Sequence, residues 1–412
     1  MAKRHANHLG SLESMFLRLE ELVLANSGED EFEEVFKLLV ARLRAERSGH
    51  PERFQRRETR QGTFREIVRL LREAERQWPG ILPPKCEPRL SPEHLEVCVE
   101  ALAKHQVGST NLEVLDSFFE FLVARAAKGA KGQYFTPRHV VEFCVRMLKP
   151  LPSETVIDPA CGSGGFLFHT LNYVKREHGA TCQPRLWGFD IDPLALRVAK
   201  ALMVFAGDRE SQLHRLNSLL RPTDASTPTI ETLARSLRRG HRGFDVLLTN
   251  PPFAGEVRER GFLDTYELSK GRDKVERDVL FIERCLDLLR PGGRMAMVLP
   301  HNKFAAEGYS HVREHILQRG RVLAVVGLGR NTFLPHTHQK ASILFLQKHE
   351  QRVTGMDDTH PIFFAISEKD GKNSRGQPVF KPDRPSLAPD PWSDMDHDLD
   401  EILSQYQASR GV

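Results

Sequence analysis

The chain has 412 residues, which is too long for one typical hydrophobic core and fits about two domains. Its apolar content of 40% and charged content of 28% are typical of a globular protein, and no apolar run approaches the roughly 20 residues that span a bilayer. A net charge of +4 permits a nucleic-acid partner without arguing for one. Since the first residues also lack the apolar core of a secretory signal, we predict a cytoplasmic protein.

The N-terminal part of the sequence shows helical periodicity. Apolar residues recur at three- and four-residue spacing over 11–48, with one break, and again over 63–78. A proline-rich turn follows, and a Ser-Pro cap signal then opens further helical stretches that end near GAKG at 129–132. We therefore predict an all-helical domain over 1–130.

Beyond this boundary, short β-branched runs alternate with helical stretches. The runs are TVIDPA, LWGFDID, FDVLLTNPP, GRMAMVLP, RVLAVVGL and KASILFLQK. Alternation of this kind predicts an α/β domain over 131–350, with a mostly parallel, doubly wound sheet. From 351 to 412 the sequence is polar and rich in Pro and Asp, which predicts a loosely attached C-terminal tail.

A glycine-rich sequence, DPACGSGGF from Asp158 to Phe166, follows the first predicted strand. A glycine-rich turn between a strand and a helix lets the backbone approach a ligand, with free N–H groups pointing at it. The spacing matches neither the GxGxxG of dinucleotide-binding proteins nor the GxxxxGK[ST] phosphate loop, so neither NAD nor ATP is favoured. Alone, the turn could be any tight strand-to-helix connection.

Acidic residues end the next predicted strand, in the sequence WGFDID from Trp187 to Asp192. In nucleoside-binding sheets, this position places a carboxylate against the ribose hydroxyls. Asp192 precedes Pro193 and suits the N-cap of a helix. We therefore expect Asp190 to be the ribose acceptor.

The sequence Asn250-Pro251-Pro252-Phe253 follows a later predicted strand. Two prolines after an asparagine cannot continue a strand, so they form a rigid loop. Asn250 could offer its side-chain oxygen and Pro251 its carbonyl to a planar amino group, and Phe253 could stack on the ring that carries it. Alone, such a tetrapeptide is usually a turn, but its place after the other two motifs favours a site.

In this order the motifs resemble those of the gamma-class N6-adenine DNA methyltransferases, and specifically the modification subunit of type I restriction–modification systems. The resemblance covers residues 131–350, about half of the chain. It rests on GQYFTPR at 132–138, DPACGSGGF, GFDID and NPPF, and on the later sequences RDVLF, LRPGGR, VLP, FLP and SILFL. It implies a Rossmann-like methyltransferase sheet and S-adenosylmethionine as the cofactor.

The resemblance also implies a role for each matched residue. The GQYFTP segment and the glycine-rich loop would hold the methionine part of the cofactor, the residue at 190 its ribose, and Asn217 and Ser218 would lie near its adenine. The implied cofactor-binding residues are Gln133, Tyr134, Phe135, Thr136, Pro137, Asp158, Ala160, Gly162, Ser163, Gly164, Gly165, Asp190, Ile191, Asn217 and Ser218. The implied catalytic residues are Asn250, Pro251, Pro252 and Phe253, with Phe333 as a candidate second face for the target base. The implied reaction is methyl transfer to the N6 amino group of a flipped adenine, without a metal.

The expected partners follow from the same resemblance. It implies double-stranded DNA and a separate specificity subunit that docks the helical domain, and it leaves a restriction subunit open. Two basic segments, Arg42–Arg60 and Arg258–Arg277, are candidates for contact with DNA phosphates, although both also carry Glu. The alternative is a methyltransferase of the same fold that acts on RNA, protein glutamine or a small molecule. A scaffold without activity is disfavoured because all three motifs are intact.

Overall fold

The computed structural model describes most of the chain in two units. The described residues are 28–105, 107, 136–208, 210–222, 228–237, 243–353, 360–382 and 394–411. The first unit comprises 28–105, 107 and 197–208 of these, and the second unit comprises the remainder. The predicted boundary at 129–132 lies outside the described residues, as does most of the first predicted helical stretch.

Three mutually packed helices account for most of the first unit. They are α1 (Glu31–Arg47), α2 (Arg60–Gln77) and α3 (Pro92–Ala103), with a short 3-10 turn at Pro51–Arg53. Each helix begins at a side-chain cap, because Asp30, Thr59 and Ser91 each accept a hydrogen bond from the backbone N–H three residues further on. The first and third helices lie within segments whose periodicity predicts helix, and α2 begins three residues before the predicted segment 63–78.

Acidic side chains of the first unit contact the arginines of the segment Arg42–Arg60. Arg53 donates hydrogen bonds to Glu66 at 2.8 Å and to Glu73 at 2.9 Å. Further ion pairs join Arg42 to Glu46, Arg44 to Glu73, and both Arg56 and Arg60 to Glu96. Much of the positive charge in this segment is therefore balanced within the unit, which weakens the expectation that it binds DNA phosphates.

An eight-stranded sheet forms the centre of the second unit, in the order β10-β8-β9-β7-β4-β1-β2-β3. Its strands are β1 (Thr155–Asp158), β2 (Arg185–Asp190), β3 (Gln212–Arg215), β4 (Phe244–Thr249), β7 (Leu289–Pro300), β8 (Gly320–Gly327), β9 (Ala341–Lys348) and β10 (Phe363–Ile366). Strand β9 is antiparallel to its neighbours β7 and β8, and every other pairing in this sheet is parallel. The prediction of a mostly parallel, doubly wound sheet is confirmed.

Helices before, between and after the strands complete this unit. They are α4 (Arg138–Leu148), α5 (Gly165–His178), α6 (Pro193–Phe205, whose residues from 197 onward belong to the first unit), α7 (Ile230–Leu237), α8 (Arg260–Leu263), α9 (Arg277–Leu288), α10 (Asn302–Ala305), α11 (Ser310–Arg319) and α12 (Leu399–Ser409). A short 3-10 turn covers Glu307–Tyr309. The small strands β5 (Glu256–Val257) and β6 (Val275–Glu276) pair antiparallel as a separate hairpin. In the described part of the chain, no helix is long and apolar enough to cross a membrane.

The structure differs from the sequence expectation over the C-terminal segment. Strand β10 adds a parallel edge strand to the sheet beside β8, and α12 packs against α4 and β10. The ring of Phe363 in β10 lies edge-to-face with that of Tyr406 in α12, at a centroid distance of 5.5 Å. The expectation of a tail comes from average composition, which hides a four-residue strand and one amphipathic helix inside a polar stretch.

Candidate active site

Four loops meet at one edge of the sheet and enclose a cavity of about 450 Å³. Each loop follows the carboxyl end of a parallel strand, namely β1, β2, β3 and β4, and this is the edge at which open α/β sheets bind their ligands. Among the predicted site residues, those that line the cavity are Ala160, Gly162, Asp190, Ile191, Asn217, Ser218, Asn250, Pro251, Pro252 and Phe253.

A second cavity of about 50 Å³ lies beside the glycine-rich loop. Among the predicted site residues, those that line it are Thr136, Asp158, Ala160, Gly162, Ser163, Gly165 and Asn250. Three of these residues, Ala160, Gly162 and Asn250, line both cavities. Pro137 and Gly164 line neither cavity, and Gln133, Tyr134 and Phe135 lie outside the described residues.

The glycine-rich loop needs glycine for its backbone path and for space. Gly162 and Gly164 have φ values of +52° and +88°, in the left-handed region that favours glycine. A Cβ on Gly162 would meet no atom within 4 Å, although this residue lines both cavities. A Cβ on Gly165 would lie 1.9 Å from Nη1 of Arg138, so glycine there admits this buried arginine of the GQYFTPR segment. The loop therefore leaves an open cradle over the end of β1.

Asp190 ends β2 and its carboxylate faces the glycine-rich loop. Its two oxygens accept backbone hydrogen bonds from Gly162 at 2.8 Å and from Asp192 at 2.9 Å. Burial raises the pKa of the Asp190 carboxyl, and these backbone hydrogen bonds act against the rise. Since a carboxylate has about four acceptor positions, it retains capacity for ligand hydroxyls. Asp192 has a different role, because its side chain accepts hydrogen bonds from the first turn of α6, as the N-cap expectation requires.

Asp158 connects the glycine-rich loop to the loop after β4. Its Oδ1 atom accepts hydrogen bonds from the Ala160 N–H at 3.0 Å and from the Thr249 hydroxyl at 2.8 Å. Burial raises the pKa of Asp158 to about 7, against the opposing effect of these two hydrogen bonds. Thr249 directly precedes Asn250, so this contact fixes the start of the second loop relative to the first. The sequence gives no signal for this contact, because Thr249 reads as the end of an apolar strand.

The side-chain oxygen of Asn250 is a buried acceptor at the boundary of the two cavities. Within the part of the chain that the structure describes, no donor lies within hydrogen-bonding distance of it. Buried polar atoms in folded proteins are nearly always paired, so an unpaired acceptor on a residue that lines both cavities favours a donor supplied by a ligand. Pro251 is buried beside it, and the two successive prolines keep this loop rigid.

Phe253 and Phe333 form the aromatic part of the site. Their ring centroids are 5.9 Å apart, with an angle of 69° between the planes. Phe253 lines the large cavity and is partly exposed. Phe333 is 2% exposed and packs edge-to-face against the Phe253 ring. This geometry supports one stacking face, that of Phe253. Phe333 does not line either cavity and supports the other ring.

The loop after β3 carries Asn217 and Ser218 and is fixed by buried contacts. Ser218 donates its hydroxyl to the Pro159 carbonyl, which ties this loop to the glycine-rich loop. The Asn217 side chain accepts the N–H of Leu219 at 3.1 Å, so it stabilises the turn while its residue is exposed at the cavity. Both predicted residues thus line the cavity, but these side-chain atoms make contacts within the protein.

Arg284 of α9 holds the same loop from beneath. Its guanidinium donates to the Ser218 carbonyl at 2.7 Å and to the Leu220 carbonyl at 3.1 Å, and it pairs with Glu231 of α7. The Tyr266 hydroxyl donates to a further carbonyl of this loop, that of Leu219. Sequence reasoning misses these residues because their partners lie tens of positions away in the chain. An arginine within an apolar helical face, as in DVLFIERCLDL, is the one signal that could have indicated a buried ion pair.

The described residues offer no group of three or more His, Cys, Asp or Glu side chains that could hold a metal ion. The residues that line the cavities instead offer backbone N–H groups, three carboxylates, side-chain amides, hydroxyls and two guanidinium groups. Such a set suits a polar organic ligand with hydroxyl and amino groups. It supplies no obvious nucleophile, because burial raises the pKa of the Cys161 thiol well above its usual range.

The sheet and the position of its site define a class of protein. The fold is that of the class I S-adenosylmethionine-dependent methyltransferases. A protein from Listeria monocytogenes described as a member of that class is similar over 86% of this chain and 92% of its own, with a TM-score of 0.58 and 15% sequence identity.

The family is narrower than the fold. Residues 111–393 match the sequence profile of the N-6 DNA methylase family, and the chain belongs to this family. The methyltransferase subunit of a type I restriction-modification system from Streptococcus thermophilus has a similar structure, with a TM-score of 0.62 and 16% identity over 98% of this chain and 93% of its own. The methylase subunit of the type I restriction enzyme EcoEI from Escherichia coli is 27% identical over 242 residues, which are 57% of this chain and 46% of that subunit. The resemblance inferred from the motifs is confirmed, and the chain spans about half the length of the curated relatives it matches.

Proposed function

We propose that the chain transfers a methyl group from S-adenosylmethionine to the N6 amino group of adenine in DNA. The observation that carries this proposal is the buried, unpaired side-chain oxygen of Asn250, a residue that lines both cavities. An exocyclic amino group donates two protons in the plane of its ring, so it needs acceptors at this kind of position. Membership of the N-6 DNA methylase family supports adenine in DNA over the alternative of an RNA, protein or small-molecule substrate.

The residues around the glycine-rich loop fit S-adenosylmethionine. Asp190 has acceptor capacity left for the ribose hydroxyls, and the open cradle at Gly162 leaves room close to the backbone. Thr136, Ser163 and Gly165 line the small cavity, where polar and backbone groups would hold the methionine part. Ile191, Asn217 and Ser218 line the large cavity, where they would surround the adenine part. When bound, this cofactor supplies an electrophilic methyl group on a sulfonium centre.

The chain activates the amino group by hydrogen bonding. The lone pair of an adenine amino nitrogen is delocalised into the ring, which makes it a weak nucleophile. Asn250 Oδ1 and the Pro251 carbonyl would accept its two protons and favour a lone pair localised on nitrogen. The same acceptors stabilise the positive charge that develops there during attack. The remaining contribution is positioning, for which the rigid double-proline loop is suited.

Phe253 supplies the stacking surface for the base. An adenine inside a duplex cannot present its amino group in line with a methyl donor, so it must leave the stack at a cost of a few kcal/mol. Stacking on Phe253 offsets part of that cost, and the edge-to-face contact with Phe333 keeps the Phe253 ring in one orientation. We further propose that a specificity subunit selects the DNA site, with a restriction subunit as an additional partner in the same system.

The first experiment maps N6-methyladenine in genomic DNA of the native host, in wild type and in an Asn250→Ala strain. We expect methylation at one defined motif in wild type and its loss in the variant. With the complex purified from the host, the variant should lose on the order of 2–4 kcal/mol of transition-state stabilisation while it still binds S-adenosylmethionine. Asn302→Ala, at an exposed asparagine away from the cavities, is the matched control and should methylate normally. Unchanged methylation by the Asn250 variant would reject the assigned chemistry.

A further inference from the structure

The loop that follows Phe253 carries six cations, and most of them have partners close by. Three pair with acids of the same loop: Arg258 with Glu256 at 2.9 Å, Arg260 with Asp273 at 3.1 Å, and Lys274 with Glu256 at 2.7 Å. Arg272 donates to the ring of His311 at 3.3 Å. Lys270 does not line the cavity. The sixth cation is Arg277, at the end of the loop.

Arg277 is exposed and lines the same cavity as Asn250 and Phe253. Among the described residues, none supplies a carboxylate within 4.0 Å of its guanidinium, and it is the one cation on the wall of the cavity. The acidic residues on that wall are Asp190 and Glu259. Arg277 therefore offsets only part of the negative charge that a polyanion approaching this wall meets, and among the described charged groups there it is the one that attracts a phosphate.

The backbone of Arg277 is held in place, and its side chain lies close to Gly255. Its N–H donates to the Gly255 carbonyl at 3.0 Å, and the preceding residue, Glu276, accepts hydrogen bonds from Lys303 and from the Tyr309 hydroxyl. The guanidinium lies over Gly255, where an added Cβ would be 3.1 Å from Cζ of the arginine. Glycine at 255 thus gives the side chain a path from the start of α9 towards the double-proline loop. A guanidinium is suited to a planar, two-point contact with an anion.

We propose that Arg277 binds a backbone phosphate of the nucleotide whose base enters the cavity. This inference rests on the proposed function. A base that stacks on Phe253 keeps its sugar and phosphates at the cavity mouth, where an exposed cation on the same wall can reach them. Arginine forms short, charge-assisted and often bidentate hydrogen bonds with phosphate. The contact anchors the flipped nucleotide without reading sequence, since phosphates are the same at every site.

The test compares wild type with Arg277→Ala and Arg277→Lys, each in the complete complex from the host. The substrate is a duplex oligonucleotide that carries the mapped motif. Loss of one phosphate contact should weaken DNA binding about tenfold and lower the slope of log Kd against log salt by about 1, measured between about 50 and 200 mM salt. Arg277→Lys should restore the slope because it keeps the charge. Arg235→Ala, at an exposed arginine of α7 outside both basic segments and away from the cavities, should leave the slope unchanged.

A modified substrate locates the contact. Replacing the phosphates that flank the target adenine with uncharged methylphosphonates should weaken wild type to the level of Arg277→Ala. The same change should weaken Arg277→Ala no further, because the partner of the lost contact is the phosphate itself. Full additivity of the two changes would overturn the inference, as would a weaker affinity for S-adenosylmethionine with unchanged DNA binding. If wild type methylates the motif and Arg277→Ala matches it in Kd and slope, this inference fails while the proposed function stands. If wild type does not methylate DNA at all, both fail.

Discussion

Replacing Arg284 by methionine should destabilise the protein and loosen the loop that carries Asn217 and Ser218. The Arg284 side chain is 1% exposed and makes a two-point contact with Glu231, with Nη2 and Oε2 at 2.7 Å. It also satisfies the carbonyls of Ser218 and Leu220. Methionine fills a similar volume but cannot donate to any of these acceptors.

The expected loss in the free energy of unfolding follows from the Glu231 carboxylate, which Arg284→Met leaves without its partner. Removing one partner of a buried ion pair costs about 3–5 kcal/mol, because the other charge stays buried without compensation. The Glu231 side chain is 25% exposed, which places the expected loss near the lower end of that range. A loss of about 3 kcal/mol in the free energy of unfolding is a large part of the stability of an ordinary domain. The freed carbonyls should also raise the KM for S-adenosylmethionine, since their loop lines the large cavity.

The pH dependence of the effect has a defined sign. Burial tends to raise the pKa of Glu231, but the hydrogen bond and charge of Arg284 outweigh it and hold the pKa below the ordinary value of 4.5. A lowered pKa in the folded state stabilises the fold above the unfolded-state pKa, and this stabilisation disappears as the pH falls through the folded-state pKa. The stability difference between wild type and Arg284→Met should therefore narrow below about pH 4.5.

Urea denaturation followed by tryptophan fluorescence measures the free energy of unfolding, and calorimetric titration measures cofactor affinity. Arg235→Met, at an exposed arginine of α7, is the matched control and should change stability by no more than about 0.5 kcal/mol. A loss below about 1 kcal/mol for Arg284→Met, equal to that of a surface ion pair, would refute the reasoning.

Two further predictions concern the site itself. Burial raises the pKa of Asp158 from 3.8 to about 7, so the folded state binds this proton more tightly and wild type loses stability as the pH rises through this window. Asp158→Asn should therefore gain stability relative to wild type between pH 4 and pH 7 in urea titrations, and parallel curves would contradict the burial argument. Phe253→Ala should remove about 1–3 kcal/mol of base-stacking free energy and slow DNA methylation accordingly, while the affinity for the cofactor is retained. Phe253→Tyr keeps the stacking face and should remain near wild type; an equal loss in both variants would exclude stacking as the role of this ring.

The motifs of the sequence predict the sheet and its ligand edge because both depend on local pattern. The runs around Ile157, Phe189 and Leu247 are apolar enough for buried parallel strands, and each is followed by polar residues that cannot continue it. Parallel topology then brings the carboxyl ends of β1, β2 and β4 together, and with them the three motifs. For the same reason the N-cap role of Asp192 is predictable from two adjacent residues.

The contacts that fix the geometry of the site depend on pairs that are distant in the chain. Arg284 and Glu231 are 53 positions apart, and Thr249 and Asp158 are 91 positions apart. No periodicity connects such pairs, and each residue alone could equally be an ordinary surface or strand residue. Short elements also cannot be predicted from the sequence: β10 has only four residues, and the sequence around it is polar. The unpaired side-chain oxygen of Asn250 cannot be predicted from the sequence, because it depends on which donors lie near it in the folded structure.

The wall shared by the two cavities links their occupants thermodynamically. Ala160, Gly162 and Asn250 line both spaces, so a ligand in one space changes the surface that the other presents. Linkage then requires reciprocity: the factor by which the first ligand changes the affinity of the second equals the factor by which the second changes that of the first. If both spaces bind ligands, the fraction of the protein occupied by either ligand then depends on the concentration of the other.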